Sequence, residues 1–308
     1  MKALSFLPAS THIIQELGLE DYLYGVTFEC PSDKPKVVRS YLEGQSYTSS
    51  ELNRIVSEHA RLDQPLYYLD MDLLREIRPD VIFTQHVCNV CQIGTSYVER
   101  AVHQLDKQPK LVPLVPRQLR DVLDNMLTIS KELAHEPFGH ALVESCNARI
   151  DRIASTLRAH KRQPRRVMVM EWIEPIFNCG HWIPEQISLA GGWDPLSAPE
   201  GYSSPTAWER VKDADPEVIV IAPCGFDVKR TAQEAEKLYE LDGWEQLTAV
   251  RHHEVYAADG QFFTQPSTSL IDGTELLAGL FHPDLFQIPD ALADLVLPLA
   301  KARVAEGS

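Results

Sequence analysis

Two stretches far apart in this chain follow one pattern. Leu74-Arg75-Glu76-Ile77-Arg78-Pro79-Asp80-Val81-Ile82-Phe83 and Val211-Lys212-Asp213-Ala214-Asp215-Pro216-Glu217-Val218-Ile219-Val220 each pass from the end of a helical pattern, through a proline, into a short apolar run. Proline has no N–H to donate and its ring collides with the preceding turn, so each stretch reads as a helix, its stop and a buried strand. Such junctions are common in any α/β fold; the stronger reading is two similar lobes, each with its own sheet. Elsewhere too, short apolar runs alternate with helical periodicity, which argues for α/β layering around mainly parallel sheets.

Strands are expected over Ala3–Leu7, Tyr24–Phe28, Val81–Gln85, Lys110–Leu114, Arg166–Glu171, Glu217–Ala222 and Glu254–Ala257. Helical patterns cover Thr11–Leu17, Ser49–Ala60, Met71–Ile77, Thr95–Gln104, Leu119–His135, Pro184–Leu189, Ala207–Lys212, Thr231–Glu240 and Gly273–Phe281. A longer one, Pro137–His160, carries Leu142, Cys146, Ile150, Ile153 and Leu157 on one stripe and ends in the basic patch Lys161-Arg162-Gln163-Pro164-Arg165-Arg166. Cations suit the negative end of a helix dipole; an anion site is the lesser alternative for that patch. A long helix between two α/β halves would be a stiff spine. The expected division is therefore an N-terminal lobe over 1–136, a spine helix over 137–163 and a C-terminal lobe over 164–308.

The net charge of −15 argues against non-specific binding to nucleic acid or to an anionic membrane. No apolar run approaches the roughly 20 residues that span a bilayer. Met1-Lys2-Ala3 leads directly into Leu4-Ser5-Phe6-Leu7-Pro8, which is not the pattern of a signal peptide. The resulting expectation is a cytoplasmic protein, or a periplasmic one if the chain is a trimmed mature form. Read that way, the six cysteines point to free thiols, a metal site or redox chemistry before disulfides.

In parallel α/β sheets the loops beyond the strand C-termini line the ligand crevice. Cys30, Cys88, Cys91, Cys179 and Cys224 all fall at such exits, and only Cys146 falls in the spine. Cys88 and Cys91 form a Cys-x-x-Cys, a spacing that lets two thiolates share a metal or close a disulfide. No second such pair exists, so a zinc or iron–sulfur site would need Cys30, or Cys224 and His181, to complete it. The plainer reading is that these thiols fill apolar space.

The densest segment runs from Glu171 to Glu185 and brings together Trp172, Phe177, His181, Trp182 and three carboxylates. Large flat ligands are held by aromatic faces, with a few polar groups fixing their orientation. His181 reads either as a ligand or metal contact or as a hydrogen-bonded structural residue. Ser10, in Pro8-Ala9-Ser10-Thr11, offers a hydroxyl at a helix start, as an anion or amide contact or as a plain N-cap. Tyr67, Gln85, His86, Phe226 and Phe263 occupy further candidate positions along the crevice.

The order of these pieces resembles one family, the single-helix-hinge (class III) solute-binding proteins of ABC importers that carry cobalamin, haem and iron–siderophore chelates. The resemblance rests on Leu4-Ser5-Phe6-Leu7-Pro8-Ala9-Ser10-Thr11 with Leu17-Gly18-Leu19 and Gly25-Val26, and on the two Pro-Asp/Glu-Val-Ile strands. Trp244-Glu245-Gln246-Leu247-Thr248-Ala249-Val250 with Glu254-Val255-Tyr256 extends it nearly to the end of the chain, and Pro175–Gly192 is most similar to the cobalamin binders. What it implies is a two-lobed clam with its ligand cleft between the lobes and little hinge movement. It further implies one glutamate on each lobe, Glu99 and Glu209, docking onto the arginines of a permease. The missing export pattern departs from the family and puts the ABC permease partner in doubt.

No Gly-x-Gly-x-x-Gly, Walker loop, His-Glu-x-x-His or Gly-x-Ser-x-Gly occurs, so the chain reads as a binder more than an enzyme. The expected function is binding of cobalamin or a similar metal chelate or tetrapyrrole. The competing expectation is a cytosolic protein that holds zinc or an iron–sulfur cluster through its cleft cysteines.

Overall fold

In the computed structural model the described residues are 1–62, 64–85, 95–199 and 201–299. They divide into two units, one of Met1–Tyr47 with Glu51–Ser145, the other of the chain from Cys146 onward with Thr48–Ser50. Each is an α/β unit built on a mainly parallel sheet, as the alternating pattern implies.

The first sheet holds strands β1 (Ala3–Ser5), β2 (Leu23–Thr27), β3 (Lys36–Ser40), β4 (Tyr67–Leu69), β5 (Val81–Gln85) and β6 (Lys110–Leu114) in the order β4-β3-β2-β1-β5-β6. Only the β3–β4 pair is antiparallel. Leu4 pairs with Gly25 on one side and Ile82 on the other. Leu4, Val26, Ile82 and Phe83 on these central strands are fully buried, because both faces of a parallel sheet are covered. Gly25 is needed there: a Cβ would stand 2.4 Å from Val37 Cγ2 and 2.9 Å from Leu4 Cδ2.

The second sheet holds β7 (Arg165–Met170), β8 (Gly192–Trp193), β9 (Val218–Ile221), β10 (Val255–Ala258) and β11 (Val296–Pro298) in the order β11-β10-β9-β7-β8. Its one antiparallel pair is β10–β11. Val167 to Met170 and Val218 to Ile221 are fully buried, and the helix Ser269–Phe281 is buried along nearly its whole length. Gln186 enters this interior and satisfies its amide N–H groups on the carbonyls of Phe262 and Leu270, at 3.0 and 2.7 Å.

The repeated junction takes the same form in both units. The helix Met71–Ile77 ends on left-handed Arg78 and the helix Trp208–Ala214 on left-handed Asp215, each directly before the proline. An aspartate beside each proline then ties the corner down. Asp80 accepts from the backbone N–H of Lys2 at 2.6 Å, and Asp215 accepts from the backbone N–H and hydroxyl of Thr248, both at 2.7 Å.

The long helix spans Glu136–Ala159, and the division between the units falls within it. The basic patch beyond it is spent on the fold. Arg162 pairs with Asp284, Arg165 donates to the carbonyls of Phe281 and Glu217, and Arg166 donates to that of Asp215.

Four strands differ from expectation. β3 has only two apolar residues between polar neighbours, β4 is a three-residue edge, β8 has two residues, and β11 contains Pro298. All four owe their pairing to a neighbouring strand more than to their own pattern. The first helix starts at Pro8, three residues earlier than its periodicity suggests, because proline's fixed φ suits the first helical position.

Candidate functional site

Strand β7 delivers Glu171 and Trp172 to the end of the second sheet, and β9 delivers Cys224, Gly225 and Phe226 beside them. The Cys224 N–H donates to the Glu171 carbonyl at 3.4 Å, which continues the ladder past both strands. Trp172 and Phe177 then form an isolated antiparallel bridge, and the Trp172 indole N–H donates to the Glu174 carbonyl at 3.1 Å. Half-buried Trp172 leans on the buried Phe226 ring, centroid to centroid 5.3 Å. On the same ring lies the Arg230 guanidinium, 3.6 Å from the centroid. Asp227 caps the helix Val228–Ala235 by accepting from the Arg230 N–H at 2.8 Å, which fixes where that side chain leaves the backbone. A tryptophan and a guanidinium thus share one phenyl base, an arrangement suited to a flat, partly charged partner.

A second aromatic group follows along the chain. His181 is in the left-handed region (φ 55°) and its N–H donates to the Gly201 carbonyl at 2.6 Å. Its ring meets Tyr202 edge-on at 5.4 Å and Trp182 at 5.5 Å. Tyr202 is 70% exposed, whereas Trp182 is 5% exposed and donates its indole N–H to the Phe263 carbonyl at 2.7 Å. Burial pushes the His181 pKa down, which favours neutral imidazole. Glu171 lies beneath this group, accepting from the Gly180 N–H at 3.1 Å and from the Ser203 side chain, and burial lifts its pKa to about 7.

The other expected residues are placed as follows. Trp182, Phe263 and Phe226 pack inside the second unit, so only Phe226 reaches the candidate face, as the base under Trp172 and Arg230. Ser10 is not an N-cap: it sits in the first turns of the helix Pro8–Glu16, fully buried, 2.6 Å from the Ser5 hydroxyl. Tyr67 is half-buried on β4 against Phe28, ring centroids 6.0 Å apart. Gln85 closes β5, but its side chain lies outside the described residues, as do His86, Cys88 and Cys91. Glu99 and Glu209 are exposed on the helices Thr95–Val102 and Trp208–Ala214.

The expected thiolate set is not assembled among the described residues, where no group of three potential metal-ligating side chains comes together. Cys30 donates to the Thr11 hydroxyl at 3.1 Å, which donates to Ser5 at 2.8 Å. Cys179, 1% exposed, lies 3.0 Å from the Ser197 hydroxyl and 3.5 Å from Asp194 Oδ2, a carboxylate already accepting from Ser197 and from the Leu196 N–H. Burial pushes both thiols up, Cys179 strongly, and keeps them protonated, whereas a metal ligand must be a thiolate. Cys224 is exposed. The plainer reading, thiols filling and bonding within the interior, describes Cys30 and Cys179.

Sequence reasoning passed over Arg230, Tyr202 and Asn178. Asn178 joins two loops by donating to the Leu196 carbonyl at 2.7 Å and accepting from the Ser204 N–H at 2.8 Å. For Arg230 a signal existed, since Asp227 is a good N-cap just beyond a strand exit. Tyr202, in a Gly/Ser/Pro loop, carries no local pattern that marks it.

Two α/β units with mainly parallel sheets, joined through one long helix and bearing aromatic groups at strand exits, define the class of a two-lobed solute-binding protein. The family model described as periplasmic binding protein matches residues 67–262, and the chain belongs to that family. It is 22% identical over 293 residues to an uncharacterized ABC transporter substrate-binding lipoprotein of Bacillus subtilis, YvrC, covering 93% of this chain and 81% of the relative. Its fold matches a periplasmic haem-binding protein of Pseudomonas aeruginosa, with a TM-score of 0.71 and 15% identity over 94% of this chain and 96% of that one. The vitamin B12 binding protein BtuF of Vibrio cholerae matches with a TM-score of 0.63 and 18% identity, covering 93% of this chain and 98% of that one. The expectation of a cytoplasmic protein does not stand, because these relatives are a lipoprotein and periplasmic proteins. Among the described residues no helix is long and apolar enough to cross a membrane.

Proposed function

We propose that this solute-binding protein of ABC-importer type captures a flat metal chelate, cobalamin or haem, outside the cytoplasm and hands it to a permease. The observation that carries the reading is the Trp172–Phe226–Arg230 layer at the exits of β7 and β9. Trp172 offers an aromatic face to a macrocycle, and a stacked guanidinium suits an anionic group on the ligand, the propionates of haem or the phosphodiester of cobalamin. The haem and vitamin B12 binders among the structural relatives support the same ligand class. In this reading His181 and Tyr202 form a second wall, and the exposed Glu99 and Glu209 meet the permease.

The test is an absorption titration of the purified chain with hydroxocobalamin and, separately, with hemin. A saturable spectral shift with one of them is expected. Trp172→Ala and Arg230→Gln should each weaken that binding by about five- to thirtyfold, the equivalent of roughly 1–2 kcal/mol for a lost stacking or cation–π contact. No shift with either probe, or affinities unchanged in both variants, overturns the reading.

A further inference from the structure

We propose that Glu171 is a positioning residue for the His181–Tyr202 wall, because its carboxylate ties together the two segments that carry those rings, and its ionisation sets how firmly they are held. The proposal rests on the reading of that wall as ligand-binding.

The tie is visible from its backbone outward. Glu171 is the first residue beyond β7, and the sheet fixes its main chain through the Ala222 N–H to Met170 carbonyl bond at 2.9 Å and the Cys224 N–H to its own carbonyl. Its side chain then accepts from Gly180 on one segment and from Ser203 on the other. Those segments touch backbone to backbone at that point, since a Cβ on Gly180 would lie 2.1 Å from the Ser203 nitrogen and 2.5 Å from the Tyr202 carbonyl carbon. The contact continues through the His181 N–H to Gly201 bond and through the Asn178 N–H to Ser204 carbonyl bond at 3.1 Å. A carboxylate at this seam holds neighbours of both aromatic rings, Gly180 beside His181 and Ser203 beside Tyr202.

Both partners are donors, and a charged carboxylate would bond them more strongly, since charge-assisted hydrogen bonds are roughly twice as strong as neutral ones. Burial opposes that charge and outweighs the two bonds, so the side chain holds the seam mainly as a neutral carboxyl through its acceptor oxygen. The titratable groups facing it are the Cys179 thiol and, through that thiol, Asp194, with His181 next in the chain to Gly180; among the described residues no Lys or Arg acts on it. Burial without a cation raises the pKa in spite of those two donors, so the closed seam favours the neutral carboxyl and opens more readily as pH rises through about 7.

The experiment is amide hydrogen exchange on the full chain, read on peptides covering 176–183 and 201–206 and corrected for intrinsic chemistry, from about pH 6.5 to about pH 8.5. His181, held below its ordinary value of about 6.5, is already largely neutral there. Protection in the wild-type chain should fall about fourfold across that range, because opening the seam solvates a carboxyl whose buried form favours the proton up to about pH 7. Glu171→Gln keeps an acceptor for Gly180 and should show a flat profile. Ser203→Ala removes a donor to the carboxylate and should move the fall to higher pH. Dissociation constants for hydroxocobalamin and hemin, measured alongside, should rise with pH more steeply in the wild type than in Glu171→Gln. Parallel exchange profiles in the two proteins, or the same pH dependence of ligand affinity in both, overturn the proposal. If neither probe binds while the exchange profiles diverge, the tie stands and the ligand reading falls.

Discussion

Replacing Glu171 by glutamine should change how the second unit's stability depends on pH, in a direction set by the burial of this carboxyl. In the folded chain burial raises this carboxyl from 4.5 to about 7. The folded state therefore favours the neutral form. Stability from this group is fully present below the unfolded value and is lost as pH rises through about 7. With 1.36 kcal/mol per pKa unit, the loss is about 1 kcal/mol at about pH 5 and about 3 kcal/mol at about pH 8. Glutamine has nearly the same shape, retains an acceptor and carries no proton to titrate. Any pH-independent effect of the substitution cancels when the two conditions are compared. The wild type should therefore lose about 2–3 kcal/mol relative to Glu171→Gln between about pH 5 and about pH 8. Urea unfolding followed by tryptophan fluorescence reads this directly, because all five tryptophans lie in the second unit. Stability curves for the two proteins that run parallel within about 0.5 kcal/mol would refute the reasoning, since that is the scatter with which independent effects add. The sign carries a functional point. Ionisation costs the fold stability and loosens the seam between the two wall segments, so the neutral carboxyl is the form that holds them.

Two further outcomes test the packing. Gly25→Ala forces a methyl against Val37 and Leu4 in the middle of the first sheet and should cost about 1–3 kcal/mol; circular dichroism on urea unfolding would show it, and an unchanged midpoint would mean that the sheet yields more easily than its contacts imply. A thiol reagent at about pH 8, with labelled peptides mapped by mass, should modify exposed Cys224 in the native chain and spare buried Cys30, Cys146 and Cys179 until denaturant is added. Native labelling of Cys179 at the rate of Cys224 would contradict its burial beside Asp194.

How much of this the sequence could carry depends on the range of the forces involved. The helix–proline–strand corner is set by proline's own geometry and by a continuous apolar run, so both copies were legible, and with them the two α/β units. Strand β3 was not, since Val37 and Val38 stand alone between Lys36 and Arg39, and their burial comes from β2 and β4 on either side. The same limit applies within the site. The richness of the Glu171–Glu185 segment in aromatic residues is visible residue by residue, but whether a given ring is wall or core is decided elsewhere in the chain. Trp182 turns inward because the Phe263 carbonyl offers its indole a partner, while Trp172 stays near the surface because Phe226 fills the space beneath it.

The cysteines carry the same lesson into chemistry. Placing Cys30 and Cys179 at strand exits identifies their position, yet a thiol becomes a ligand or nucleophile only where the surroundings favour its charged form. Near Cys179 the surroundings do the reverse: Asp194 and Glu171 are both acidic, and burial opposes charge on all three. Among the described residues these side chains do not come together as a group of three that could hold a metal ion. Protons settle the matter instead. Asp194 accepts from Ser197 and Leu196 in its own loop, whereas Glu171 accepts from Gly180 on one segment and Ser203 on the other, so it is the member whose protonation state both loops feel.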